Sequence, residues 1–151
     1  GDKDEFKKLI EMATLMDPNN AELQYNLGVV AAEAKDADLA KKYYEKAISL
    51  NPEYADAYNN LAVLTLQGEA EIVEKMNSLG TSSADNKKYD ELKEQRMQLY
   101  KDAIPYLETT LKFRPKNLDA ATTLMNIYSA TGETAKYKDM HNKVEQIKAE
   151  Q

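Results

Sequence analysis

Residues 21–54 read AELQYNLGVVAAEAKDADLAKKYYEKAISLNPEY, and the proline near the end of this stretch supplies a register for the whole chain. Asn51-Pro52-Glu53-Tyr54 has counterparts in Asp17-Pro18-Asn19-Asn20 and Arg114-Pro115-Lys116-Asn117. Nine residues after each proline stands a leucine, Leu27, Leu61 and Leu124, and two residues before each stands Met16, Leu50 or Phe113. Eight residues before each is another bulky apolar side chain, Ile10, Tyr44 or Leu107, and five before are the smaller Ala13, Ala47 and Thr110. Such offsets describe one helix that ends near a proline and a second that starts just after it. Pro18 and Pro52 lie 34 residues apart, so the unit is a helical hairpin repeated along the chain.

Within residues 21–54, Leu27-Gly28, Ala40, Tyr44, Ala47 and Pro52 stand at the spacings of the tetratricopeptide repeat, a helix-turn-helix unit of 34 residues, and the segment resembles that family. Gln24 and Ala31 replace an aromatic residue and a tyrosine of the usual pattern. Gly28 and Ala47 keep the small side chains that let two helices approach closely. The resemblance implies an all-α fold, a right-handed α-α superhelix of helical hairpins with a long inserted helical extension. The expected divisions of this single array are 1–20, the second helix of a partial repeat; 21–54, a complete repeat; 55–117, a repeat with an insert at about 69–98; and 118–151, a terminal repeat with a capping helix.

The second unit places Tyr58, Leu61 and Ala62 in its first helix and Ala103, Leu107 and Thr110 in its second, but Pro52 and Pro115 are 63 residues apart, 29 more than one period. The extra residues carry Ile72, Val73, Met76 and Leu79 before Gly80, then Tyr89, Leu92, Met97 and Tyr100, at helical spacing. They are expected to prolong both helices into a protruding antiparallel hairpin whose seam sets Ile72, Val73, Met76 and Leu79 against Tyr89, Leu92 and Met97. The first arm would run from about 55 to 79 and reach roughly 37 Å. A disordered surface loop is the other reading. Pro105 lacks the amide that would bond to Lys101, so a bend or a new helix start is expected near 100–102. A helix over 118–130 should stop at Thr131-Gly132, and one capped near Thr134 should run to about Ala149, with enough lysines to serve as the polar end of an array. The count comes to about seven helices. Residues 4–17 read as a second helix without its first; the chain is expected to continue upstream, the other reading being that another molecule covers this helix.

The 151 residues carry 20 Lys+Arg against 26 Asp+Glu, a net charge of −6, which disfavours nucleic acid and anionic lipid as partners. No apolar run approaches the roughly 20 residues of a membrane helix, so direct membrane insertion is not expected. With no cysteine and a single His141, thiolate chemistry and histidine metal clusters have no material. No phosphate-binding glycine loop, nucleophile elbow or helical zinc motif occurs, so neither an enzyme nor a cofactor or metal site is expected. Asp36 with Asp38, and Glu69 with Glu71, read as solvated charges, and Tyr43, Tyr44 and Tyr106 as packing residues.

The family resemblance implies that first helices line a concave groove that holds peptides or partner helices. Carried over by position, the groove residues are Glu22, Tyr25, Asn26, Val29 and Glu33, then Asp56, Asn59, Asn60 and Val63, then Asp119, Thr122 and Asn126. Their asparagines can both donate to and accept from a partner's backbone. None is basic, so a clamp for a terminal carboxylate is not expected, and a basic partner is. The function expected is a protein–protein interaction module, an adaptor or scaffold, existing as a monomer or weak homodimer; the alternative is an assembly module that self-associates through the insert or the first helix. Residues 118–143 also resemble bacterial envelope members of the family, which implies a periplasmic or envelope-associated location, with the cytoplasm as the other reading.

Overall fold

The computed structural model describes all residues, 1–151, as eight helices. They are α1 (Asp2–Met16), α2 (Ala21–Glu33), α3 (Ala37–Leu50), α4 (Ala55–Leu66), α5 (Glu69–Asn77), α6 (Ser83–Phe113), α7 (Leu118–Ala130) and α8 (Thr134–Ala149). The chain forms two compact units, Gly1–Leu64 and Thr65–Gln151, whose boundary falls inside α4.

The three proline tetrads are built alike. Asp17, Asn51 and Arg114 each end a helix with an extended φ between −139° and −133°, the conformation that a following proline imposes. Their amides bond back to the carbonyls of Ala13, Ala47 and Thr110 at 2.8–2.9 Å. Their own carbonyls accept from the amides of Asn20, Tyr54 and Asn117 at 3.1–3.2 Å. Asn20 and Asn117 then cap the next helix, each accepting through its side chain from an amide three residues on. Leu27, Leu61 and Leu124 are equally buried, at 2%, 2% and 1% exposure, so the shared offset marks equivalent core positions. Burying each contributes roughly 1.5–3 kcal/mol.

In the first unit α2 and α3 pack closely because Gly28 leaves room for the Tyr44 ring, while Ala40 and Ala47 are wholly buried. Ile10 of α1 joins Leu27 and Val30 of α2 in a buried cluster, with Tyr43 of α3 against it. The turn from α2 to α3 puts Lys35 in the left-handed region at φ 62°. Asp36 N–H bonds to the Ala31 carbonyl and Lys35 N–H to that of Ala32, the paired bonds of a Schellman ending. The same pair ends α7, where Glu133 and Gly132 bond to Tyr128 and Ser129 and the left-handed residue is Gly132, at φ 76°.

In the second unit α5 packs on α6, α6 on α7 and α7 on α8. The insert is an ordered helical hairpin of α5 and the first half of α6. Met76 and Leu92 are buried in its seam, with Ile72, Val73, Leu79 and Met97 half-buried beside them, while Tyr89, expected in the seam, is exposed. At the tip Ser82 caps α6 by accepting from Asp85 N–H, and the Asp85 carboxylate accepts from Gly80 N–H at 3.0 Å. Three expectations are corrected. The arm read as continuous from 55 to 79 is interrupted at Gln67 and Gly68, which makes eight helices instead of seven; glycine's poor helix propensity makes this its weakest point. Pro105 starts no new helix, since α6 runs through it for 31 residues. Pro105 and Lys101 both lie on its exposed side, where water can take the freed carbonyl, while Tyr100, Ala103 and Leu107 are buried on the other. Finally, α8 starts after Glu133 with no side-chain cap, so Thr134 is its first residue and not its cap.

Candidate interaction surfaces

In the first unit the positions expected to bind a partner come from α2 and from α4 up to Val63. Glu22, Glu33, Asp56 and Val63 are exposed; Tyr25, Asn26, Val29, Asn59 and Asn60 are half-buried. At their centre is a knot of tyrosines. The Tyr25 and Tyr54 rings stack at 5.0 Å with 27° between their planes, and Tyr25 meets Tyr44 at 5.7 Å. Asn60 Nδ2 donates to the hydroxyls of both Tyr25 and Tyr44 at 3.2 Å. The Asn60 amide nitrogen, expected to face a partner, is therefore spent on fixing two rings of its own chain. Tyr54 closes the group because its carbonyl starts α4, accepting from Ala57 N–H at 3.1 Å, which leaves its ring beside α2.

Burial is the main cause that raises the pKa of Tyr25, Tyr44 and Tyr54. Asp56 adds to it at Tyr25, and Glu22, Tyr25 and Asp56 add to it at Tyr54. The two carboxylates therefore act on the same stacked pair. Sequence pattern does not show the stack because Tyr25 and Tyr54 are 29 residues apart, near opposite ends of the same repeat.

In the second unit a cleft of about 300 Å³ is lined by Leu66, Glu69, Tyr100, Thr123, Asn126 and Ile127. Asn126 was an expected position; Thr122 is half-buried and Asp119 exposed, and both lie on the same helix outside this lining. One wall is held by a clasp at the base of the hairpin. Arg96 donates from Nε and Nη2 to Glu69 Oε1 at 3.1 and 2.9 Å, its Nε also reaches the Tyr100 hydroxyl, and that hydroxyl donates to the same Glu69 oxygen. The hydrogen bonds that Arg96 donates to Glu69 raise the Arg96 pKa further, so the guanidinium keeps its charge at every ordinary pH. Glu69 had been read as a solvated charge; its partner stands 27 residues on in the opposite arm, a pairing that only the hairpin creates. Asp36, read the same way, caps α3 by accepting from Leu39 N–H.

A third surface is the outer side of α1. Phe6, Leu9, Met12, Leu15 and Met16 are all more than half exposed, so Ile10 alone of its large apolar residues is buried. His141 on α8 is exposed, with its ring 6.0 Å from that of Tyr137.

The segment that holds the Gly28–Tyr44 pairing and the Pro52 turn has a match among known families: residues 21–54 and residues 43–91 each match a model of the tetratricopeptide repeat. The chain carries tetratricopeptide repeats. Photosystem I assembly protein Ycf3 from Rippkaea orientalis is 28% identical over 114 residues, which cover 74% of this chain and 56% of that protein. The chain thus spans little more than half the length of this curated relative. Among solved structures, MamA AMB-1 superposes with a TM-score of 0.65 at 17% identity over 99% of this chain and 66% of its own. A mutant form of MamA gives 0.60 at 17% identity over 95% and 67%. At that identity the likeness is one of fold, an all-α tetratricopeptide array. No helix is long and apolar enough to cross a membrane.

Proposed function

We propose that this chain is an interaction module that holds a segment of another protein against its first helices, with no chemistry of its own. The observation that carries the reading is the half-buried row of Tyr25, Asn26, Asn59 and Asn60, rigidified by ring stacking and the Asn60 bonds and bordered by exposed carboxylates. A pre-ordered surface loses little side-chain entropy when a partner arrives. The amides of Asn26 and Asn59 can meet a partner's backbone, and Glu22, Glu33, Asp56 and Asp119 favour a basic segment. In the second unit the cleft beside Asn126 offers a recess for a side chain.

A second reading is self-assembly, favoured by the apolar outer side of α1. Selection of twelve-residue segments from a random display library on the full chain, followed by amide-shift mapping, separates the two. Segments that map to α2, α4 or α7 support the interaction module. If none map there, and light scattering shows a stable dimer that dissociates when Phe6 and Leu9 are changed to Gln, the assembly reading replaces it.

A further inference from the structure

Charge in the first unit is sorted by helix. Neither α2 nor α4 contains a lysine or arginine, whereas α3 carries Lys41, Lys42 and Lys46 and α1 carries Lys3, Lys7 and Lys8. The acidic residues of α2 and α4, Glu22, Glu33 and Asp56, thus lie on helices with no cation of their own. No salt bridge in the structure engages Glu22 or Asp56. Glu22 stands one turn before Tyr25 and Asp56 two residues after Tyr54, so each member of the stack has a carboxylate close to it along the chain. Both carboxylates raise the hydroxyl pKa of Tyr54, as expected if all three share one small region.

An aromatic face is negative at its centre and attracts a cation, most strongly when the cation is partly desolvated. The neighbouring carboxylates, whose charge is felt at the Tyr54 hydroxyl, supply the full charge that the ring lacks. A neutral side chain placed here would strip water from two carboxylates and return nothing, and an anion would be repelled. Guanidinium suits the geometry better than ammonium, because it stacks flat on a ring while its edge donates to a carboxylate.

We infer that Glu22, Tyr25, Tyr54 and Asp56 form the seat for one cationic side chain, arginine before lysine, of the segment that lies along α2 and α4. The inference rests on the interaction-module reading and adds the class of side chain that fixes the segment's register. Asn60 is a positioning residue here, since it holds Tyr25 by its hydroxyl.

The test uses the full chain and the blocked tripeptide acetyl-Ala-Arg-Ala-amide, with its citrulline analogue as a neutral control of the same shape. Ring resonances of Tyr25 and Tyr54 and the amides of Glu22 and Asp56 should shift saturably with the arginine probe. Binding should be roughly tenfold weaker for citrulline, weaken about tenfold in the double variant E22Q/D56N, and fall severalfold in Tyr54→Leu. Glu22 and Asp56 are exposed in the first turns of α2 and α4, so their substitution lowers the urea midpoint only slightly and separates loss of the seat from loss of the fold. Equal shifts from both probes, or an arginine response unaltered in E22Q/D56N, would overturn the seat. A library-selected segment that binds α2 and α4 equally well in that variant would leave the interaction reading standing and the seat refuted. A saturating arginine response with no segment selected would do the reverse.

Discussion

Replacing Gly28 with alanine adds one carbon at the tightest helix crossing in the first unit. An ideal Cβ there would lie 2.5 Å from both Cδ1 and Cε1 of Tyr44 and 3.0 Å from Cζ, well inside van der Waals contact. The ring cannot swing away at low cost: Tyr44 is 1% exposed, and Asn60 holds its hydroxyl. Overpacking of this kind costs typically 1–3 kcal/mol, and displacing the ring weakens a hydrogen bond worth about 1 kcal/mol. Against this, alanine is better than glycine in a helix by about 1 kcal/mol. The net expectation is a loss of about 2 kcal/mol, or roughly 4–8 °C in melting temperature for a chain of this size. Gly28→Leu should cost more. A urea titration followed by circular dichroism measures the loss, and a double-mutant cycle with Tyr44→Leu locates its cause. In the Tyr44→Leu background the clash is removed, so Gly28→Ala should become neutral or stabilising. A Gly28→Ala variant at least as stable as the parent, or a cost unchanged by Tyr44→Leu, would refute the reasoning.

The two Schellman turns invite an exchange: Lys35→Gly should stabilise by roughly 1 kcal/mol by relieving a left-handed lysine, and Gly132→Lys should destabilise by a similar amount, both read from urea midpoints. Gly68→Ala should stabilise by up to about 1 kcal/mol, because its Cβ would only touch Leu99 at 3.4 Å while helix propensity rises; a rise in helical circular dichroism is the check. Tyr128 is buried with its hydroxyl on Glu108, and burial first, then the Glu108 charge, pushes its pKa up to about 12. The unfolded chain, with a tyrosine pKa near 10, releases that proton first, so this contribution is complete below pH 10 and falls by roughly 2–3 kcal/mol as pH rises towards 12. In Tyr128→Phe that part of the alkaline decline, followed as melting temperature against pH, should disappear.

What could be read from the sequence was whatever recurs at a fixed offset. The proline turns, the three buried leucines, the close approach at Gly28 and the helical character of the insert all follow from local pattern, because each repeat solves the same packing problem with the same residue types. What escaped depends on meetings between distant residues. The Glu69–Arg96–Tyr100 clasp and the Tyr25–Tyr54 stack leave no periodic trace. Pro105 misled for a related reason: its effect depends on whether its side of the helix faces water, which a propensity rule does not contain. Of the expected binding positions, the pattern placed most on accessible faces, but it could not show that the Asn60 amide is already engaged inside its own unit.

The unbroken course of α6 restricts how the insert can change in length. By comparison with α3, which starts fifteen residues before its proline, an ordinary second helix here would start near Tyr100, so Ser83 to Leu99 is an added stretch of about five helical turns. Leu92 stands eleven residues, about three turns, before Ala103, so the buried stripe of the hairpin lines up with the one below it. Inserting one residue would turn everything beyond it by about 100° and swing Leu92 out of the seam, whereas seven residues would turn it by only about 20°. Viable relatives with longer or shorter hairpins should therefore differ in steps of three to four or seven residues, matched in both arms. The tip can be moved outward or inward in increments, like a ratchet, but it cannot be freely re-aimed.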